Sequence, residues 1–144
     1  MLAQLTLDDA DARAATDAIH AELARLGKTA VIAVVDAHGE VLSVLRMLGA
    51  PLSSIDIAVN KGFTAARLRR PSGAVGRRSR DPATGFDISY YGDPRYVGWG
   101  GGLPVERDGH VVGAVAVSGL AEAEDEELVK LGVAAIVARA VQSR

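Results

Sequence analysis

Apolar side chains recur at Ala12, Ala15, Ile19, Leu23 and Leu26, the spacing that puts one stripe of a helix against a core. Thr6 with Asp9 reads as a capping box that starts this helix, and Gly27 as the residue that stops it. Residues 30–35 are unbroken Ala, Val and Ile, the pattern of a strand covered on both faces. Asp36, Ala37, His38 and Gly39 then form a turn, with Asp36 initiating it, and residues 41–47 return as a second strand. A second helix opens at Pro51, Ser53 and Ser54 and runs to a stop at Pro71. Its inward stripe is Ile55, Ala58, Val59, Gly62, Ala65, Ala66 and Leu68. Residues 72–80 read as a short further helix and 81–99 as a long loop. Residues 103–106 and 111–118 flank an Asp108-Gly109 turn and make a second hairpin. The last helix carries Leu128, Leu131, Gly132, Ala135 and Ile136 inward behind an acidic first turn. Helix, hairpin, helix, loop, hairpin, helix predicts an α+β domain with an antiparallel sheet covered by helices. The length of 144 residues suits one domain spanning 1–144.

Composition changes this picture at one place. Five of the six aromatic residues, Phe86, Tyr90, Tyr91, Tyr96 and Trp99, lie between positions 86 and 99, directly before Gly100, Gly101 and Gly102. Rings supply flat apolar faces, and bare glycine backbone permits close approach. The loop is therefore expected to line either a ligand pocket or a subunit interface. Charge is uneven as well. Lys61, Arg67, Arg69, Arg70, Arg77, Arg78 and Arg80 gather in the middle, and five acids gather between 122 and 127. With a net charge of -2 and no recognition motif, nucleic acid is not the expected partner.

Several chemistries drop out. There is no cysteine, which excludes disulfides, thiolate catalysis and iron–sulfur clusters. His20, His38 and His110 are far apart and form no metal-binding pattern, so no metal site is expected. The loop around Gly100 is followed by no Lys-Ser or Lys-Thr, and Pro104 blocks a helix there, which argues against a nucleotide cradle. The amino-terminal residues lack the pattern of a secretory signal and no segment is long and apolar enough to span a bilayer. The expectation is a cytoplasmic protein without membrane partners.

Three ordered segments carry a family resemblance: Val34 to Gly39; Arg46-Met47 leading into Ala58-Val59-Asn60-Lys61-Gly62-Phe63-Thr64; and Gly100 to Pro104 leading into Asp108 to Gly119. Together they resemble the GlcG/HbpS/PduO C-terminal-like family of small α/β proteins, over roughly residues 5–137. Lys61 is followed here by Gly62 where the family pattern has Lys-Ala. The resemblance implies a profilin-like or PAS-like antiparallel sheet of about five strands flanked by helices. It also implies self-association, from dimer to octamer, and in several members haem as the cofactor.

The candidate ligand-binding residues are Arg46, Lys61, Thr64, Tyr90, Tyr91, Trp99, Gly100, Gly101, Gly102 and Pro104. Haem would take its slot from the rings, cations for its propionates from the arginines and an axial ligand from His20, on the first helix, where the family resemblance places one. Two other readings stand beside it. A cofactor-free lyase, isomerase or cyclase could hold an oxo-acid with Arg46 and Lys61 and use Tyr91 for proton transfer. A non-catalytic scaffold would bury the rings between subunits.

Overall fold

A computed structural model describes residues 1–142. Four helices, α1 (Asp9–Leu26), α2 (Ser54–Leu68), α3 (Ser72–Ser79) and α4 (Glu122–Gln142), surround four strands. The strands are β1 (Val31–Asp36), β2 (Val41–Arg46), β3 (Gly102–Arg107) and β4 (His110–Ser118). They form one antiparallel sheet in the order β2-β1-β4-β3. The count is four among the described residues, not about five. Residues 86–99 supply no further strand, because Gly, Pro and Asp punctuate them and their one regular piece is a 3-10 turn at Ile88–Tyr91.

Alternation along the strands sorts the core into two layers. Ile32 and Val34 of β1 and Val115 and Val117 of β4 meet Ile19 and Leu23 of α1 and Leu128 and Ile136 of α4. Val31 and Ala33 with Ala116 meet Ala58 of α2, and Val35 with Ala114 meets Ala65 and Ala66. Every one of these strand residues is fully buried, as the unbroken apolar run in β1 requires. Gly62 has a local cause: a Cβ there would stand 3.2 Å from Cγ1 of Val35, tighter than ordinary packing.

The first helix starts later than its sequence suggests. Asp8 and Asp11 form the capping box, each side chain accepting from the other's backbone N–H. Thr6 is drawn elsewhere: its Oγ1 accepts from Ala37 N at 3.0 Å, and Leu7 N donates to Val112 O at 2.8 Å. Those two bonds tie the segment to the β1–β2 turn and to β4.

Candidate functional site

The aromatic loop folds back on the C-terminal half of α2. Phe63, fully buried, lies 4.9 Å from Tyr96; Tyr96 lies 4.7 Å from Tyr91; and Tyr91 meets Phe86 edge-on at 5.7 Å, centroid to centroid. These are ordinary distances for interacting ring pairs. Guanidinium groups lie over this ladder: Arg95 at 4.1 Å and Arg67 at 4.6 Å from the Phe63 ring, and Arg78 at 6.0 Å from Phe86. Thr64 holds the loop in place. Its Oγ1 donates to Arg95 O at 3.2 Å and accepts from Val97 N at 2.9 Å, so one buried hydroxyl fixes both sides of Tyr96.

At its outer end the ladder opens into a hollow of about 390 Å³ walled by Arg78, Thr84, Phe86, Tyr90 and Tyr91. A recess of about 60 Å³ beside it adds Leu68, Arg70 and Val75. Tyr90 is 87% exposed and, among the described residues, stacks on no other ring. The hollow and its recess thus combine ring faces with two arginines.

A second cleft, of about 350 Å³, shares no lining residue with these hollows. Its floor is Lys61, a buried cation whose Nζ donates to Val117 O at 3.0 Å and Asp125 Oδ2 at 3.1 Å. Asp125 is buried too. Loss of water raises its pKa, and the attraction of Lys61 and the backbone N–H groups of Leu120 and Gly119 offsets only part of that rise. Trp99 and Gly100 form one wall, Ser53, Ser54 and Ile57 of the α2 start another, and Ser118, Gly119 and Leu120 a third.

The triple glycine serves this chain's own packing. A Cβ on Gly102 would run into the Lys61 carbonyl, one on Gly101 would crowd Lys61 Nζ at 2.9 Å, and one on Gly100 would strike the Glu126 carboxyl. Gly101 also has a φ of +125°, a conformation suited to glycine. Ser72, at the start of α3, ties the segment down: its Oγ donates to Trp99 O at 2.6 Å and accepts from Gly102 N at 2.9 Å.

The sequence candidates therefore divide. Tyr90 and Tyr91 line the ring hollow, whereas Lys61, Trp99 and Gly100 line the second cleft. Gly101 and Gly102 lie buried beneath, and Thr64 serves the loop. Pro104 is half-buried on edge strand β3, opposite Ala114, where its missing N–H costs the ladder little. Arg46 ends β2, exposed, and lines neither cleft, so Arg46, Lys61 and Tyr91 do not converge on one pocket. His20 is exposed on α1, in the helix layer across the sheet from α2 and the rings. His38 and His110 are exposed at the ends of the two hairpin turns. Among the described residues no group of three His, Asp or Glu could hold a metal ion, and no helix is long and apolar enough to cross a membrane.

The sequence reading missed Ser54, Ser72 and Ser118, and it took Asp125 only for an acidic helix start. Serines at helix starts were visible at positions 54 and 72. The partnership of Lys61 with Asp125 spans 64 residues and left no local signal. A third hollow, about 270 Å³ and lined by Leu5, Leu7, Val112 and Ile136 among others, contains none of the candidate residues.

Comparison with known proteins gives this geometry a setting. The family model described as haem degrading protein HbpS-like matches residues 7–134. The chain is 36% identical over 118 residues to an uncharacterized 15.0 kDa protein of the dhaT-dhaS intergenic region of Citrobacter freundii, covering 82% of each. Its fold is similar to that of the Klebsiella pneumoniae protein ORFY, with a TM-score of 0.90 at 28% identity over 96% of this chain and 95% of that one. It is similar also to a PduOC:haem complex, with a TM-score of 0.84 at 26% identity over 91% and 95% of the two chains.

Proposed function

The chain belongs to the HbpS-like family, and on that premise we propose that it binds haem, or a related flat anionic molecule, in the ring hollow. The observation that carries this reading is the ladder from Phe63 through Tyr96 and Tyr91 to Phe86, open at the end where Arg78 and Arg70 stand. Ring faces suit a macrocycle, and the guanidinium forks suit its propionates. Tyr91, Phe86 and Tyr90 would form the apolar wall, and Arg78 and Arg70 would neutralise the carboxylates. When bound, haem would supply an iron centre open to redox and oxygen chemistry. The haem-bound state of the PduOC relative supports the same reading.

The hollow contacts one side of such a guest, so the other side is left for a second copy of the chain. His20, across the sheet from the rings, would reach the iron from that copy and not from its own. Titration with hemin tests the reading through the visible absorption band. Saturable binding is expected, weakened about tenfold or more by Tyr91→Ala or Arg78→Glu. A His20→Ala protein that keeps the band position and affinity would remove His20 from the iron. Identical titrations of the wild type and both hollow variants would remove the hollow from the reading.

A further inference from the structure

The cleft over Lys61 is separate from the ring hollow, and it holds side-chain donors that no protein acceptor takes up. Its two carboxylates already accept from the protein: Glu122 Oε1 takes Gly100 N at 2.6 Å, and Asp125 takes Lys61 Nζ and Leu120 N. The donors are not spent. Ser54 and Ser118 are each 4% exposed, yet among the described residues neither hydroxyl makes a hydrogen bond. Both are directed at the cleft. Ser54 shares the sheet-facing stripe of α2 with Ala58 and Lys61, and its Oγ would stand 3.6 Å from a Cβ on Gly119. Ser118 pairs with Val31, and so points to the α2 side of the sheet. Lys61 uses two of its three N–H groups. Ser53, at the N-cap of α2, makes no side-chain capping bond.

Both hydroxyls line the cleft, so what occupies it, water or a guest, must supply their hydrogen-bond partners. Two hydroxyls beside a lysine N–H suit a guest that brings oxygen lone pairs. The buried Lys61–Asp125 pair is neutral as a unit, and the start of α2, where Ser53 makes no cap, sets a partial positive charge against the Glu122 carboxylate that also lines the cleft. Pro51, Ile57, Leu120 and the Trp99 ring offer a short apolar tail its contacts. We infer that this cleft is a second binding site, which takes a small organic carboxylate through Ser54, Ser118 and the remaining Lys61 N–H.

Trp99 is the chain's one tryptophan and lies 56% exposed on the cleft wall, which makes it a built-in reporter. The experiment titrates sodium acetate, sodium pyruvate and inorganic phosphate into the full chain at constant ionic strength. It follows Trp99 fluorescence and the melting temperature. Acetate or pyruvate is expected to change the fluorescence saturably and raise the melting temperature, while phosphate does neither. Ser54→Ala/Ser118→Ala should lose both responses, more than tenfold in apparent affinity. Without ligand it should melt close to the wild type, since it removes hydroxyls that had no protein partner. Tyr91→Ala should respond to carboxylates as the wild type does, and hemin binding should be untouched by the serine changes; this separates the cleft from the ring hollow. Three outcomes would overturn the inference: no saturable response in the folded protein, a response kept by the serine variant, or a preference for phosphate.

Discussion

Lys61 is the residue on which sequence and structure meet most sharply. A lysine in the middle of an apolar helix stripe invites a functional reading, and the structure gives it a buried partner, Asp125, 3.1 Å away. Breaking such a pair by removing one member strands the other charge, at a cost of about 3–5 kcal/mol. Lys61→Met and Asp125→Asn should therefore each lower the urea midpoint strongly. Lys61→Met/Asp125→Leu, which leaves no orphaned charge, should recover most of the loss. The pH dependence has a definite sign. Burial raises the pKa of Asp125 above 3.8, so the folded chain holds this proton more tightly than the unfolded chain. Its contribution to stability is fully present below 3.8 and is lost as pH rises through the folded value. The stability gap between the wild type and Asp125→Asn should accordingly narrow from acid to neutral pH. A gap that widened over that range would show that Lys61 outweighs desolvation at this carboxylate.

At the scale of elements, the hairpins and most of the helix stripes were legible because each is a local pattern, although Leu26 and Leu131, placed inward by that pattern, stand exposed and Val129 is buried instead. Ile19 and Leu23 repeat with the helix turn, and Asp108-Gly109 marks its own turn. The cap of α1 was misplaced by two residues because Thr6 answers to Ala37, 31 positions away. The glycine run was legible as a close approach, but sequence alone could not say that the approaching object is the body of α2 and α4. The crossing of α3 with the aromatic loop was equally invisible. There Gly76 and Gly98 lie backbone on backbone, so that a Cβ on Gly76 would overlap the Gly98 carbonyl. Gly76→Ala must push α3 off the loop, a displacement that costs roughly 1–3 kcal/mol. Because Val75 and Arg78 of α3 also wall the hollow and its recess, hemin affinity should fall with stability. Equilibrium unfolding alongside hemin titration checks both, and a Gly76→Ala chain unchanged in either would refute the tight crossing.

Across the whole molecule, two of the surfaces left bare among the described residues bear on self-association. One is the ring hollow, with Tyr90 almost bare. The other is edge strand β2, where Val41, Val44 and Leu45 are exposed and Leu48 and Leu52 follow beyond it. An edge strand with unpaired backbone groups and apolar side chains is a template for another chain unless something covers or blunts it. Arg46 is the one charge among the outward residues of β2, and it makes no ion pair among the described residues. We expect these surfaces to be covered together by self-association. Size exclusion with light scattering should find an assembly larger than one chain at micromolar concentration. Val44→Lys/Leu45→Lys, which charges both faces of the edge without touching the core, should shift it toward the single chain. If a guest in the ring hollow is completed by a second copy, the same variant should lose hemin affinity although Phe86, Tyr90, Tyr91 and Arg78 are intact. Full affinity in a chain shown to be monomeric would mean that one copy is enough, and would leave the bare β2 edge unrelated to ligand binding.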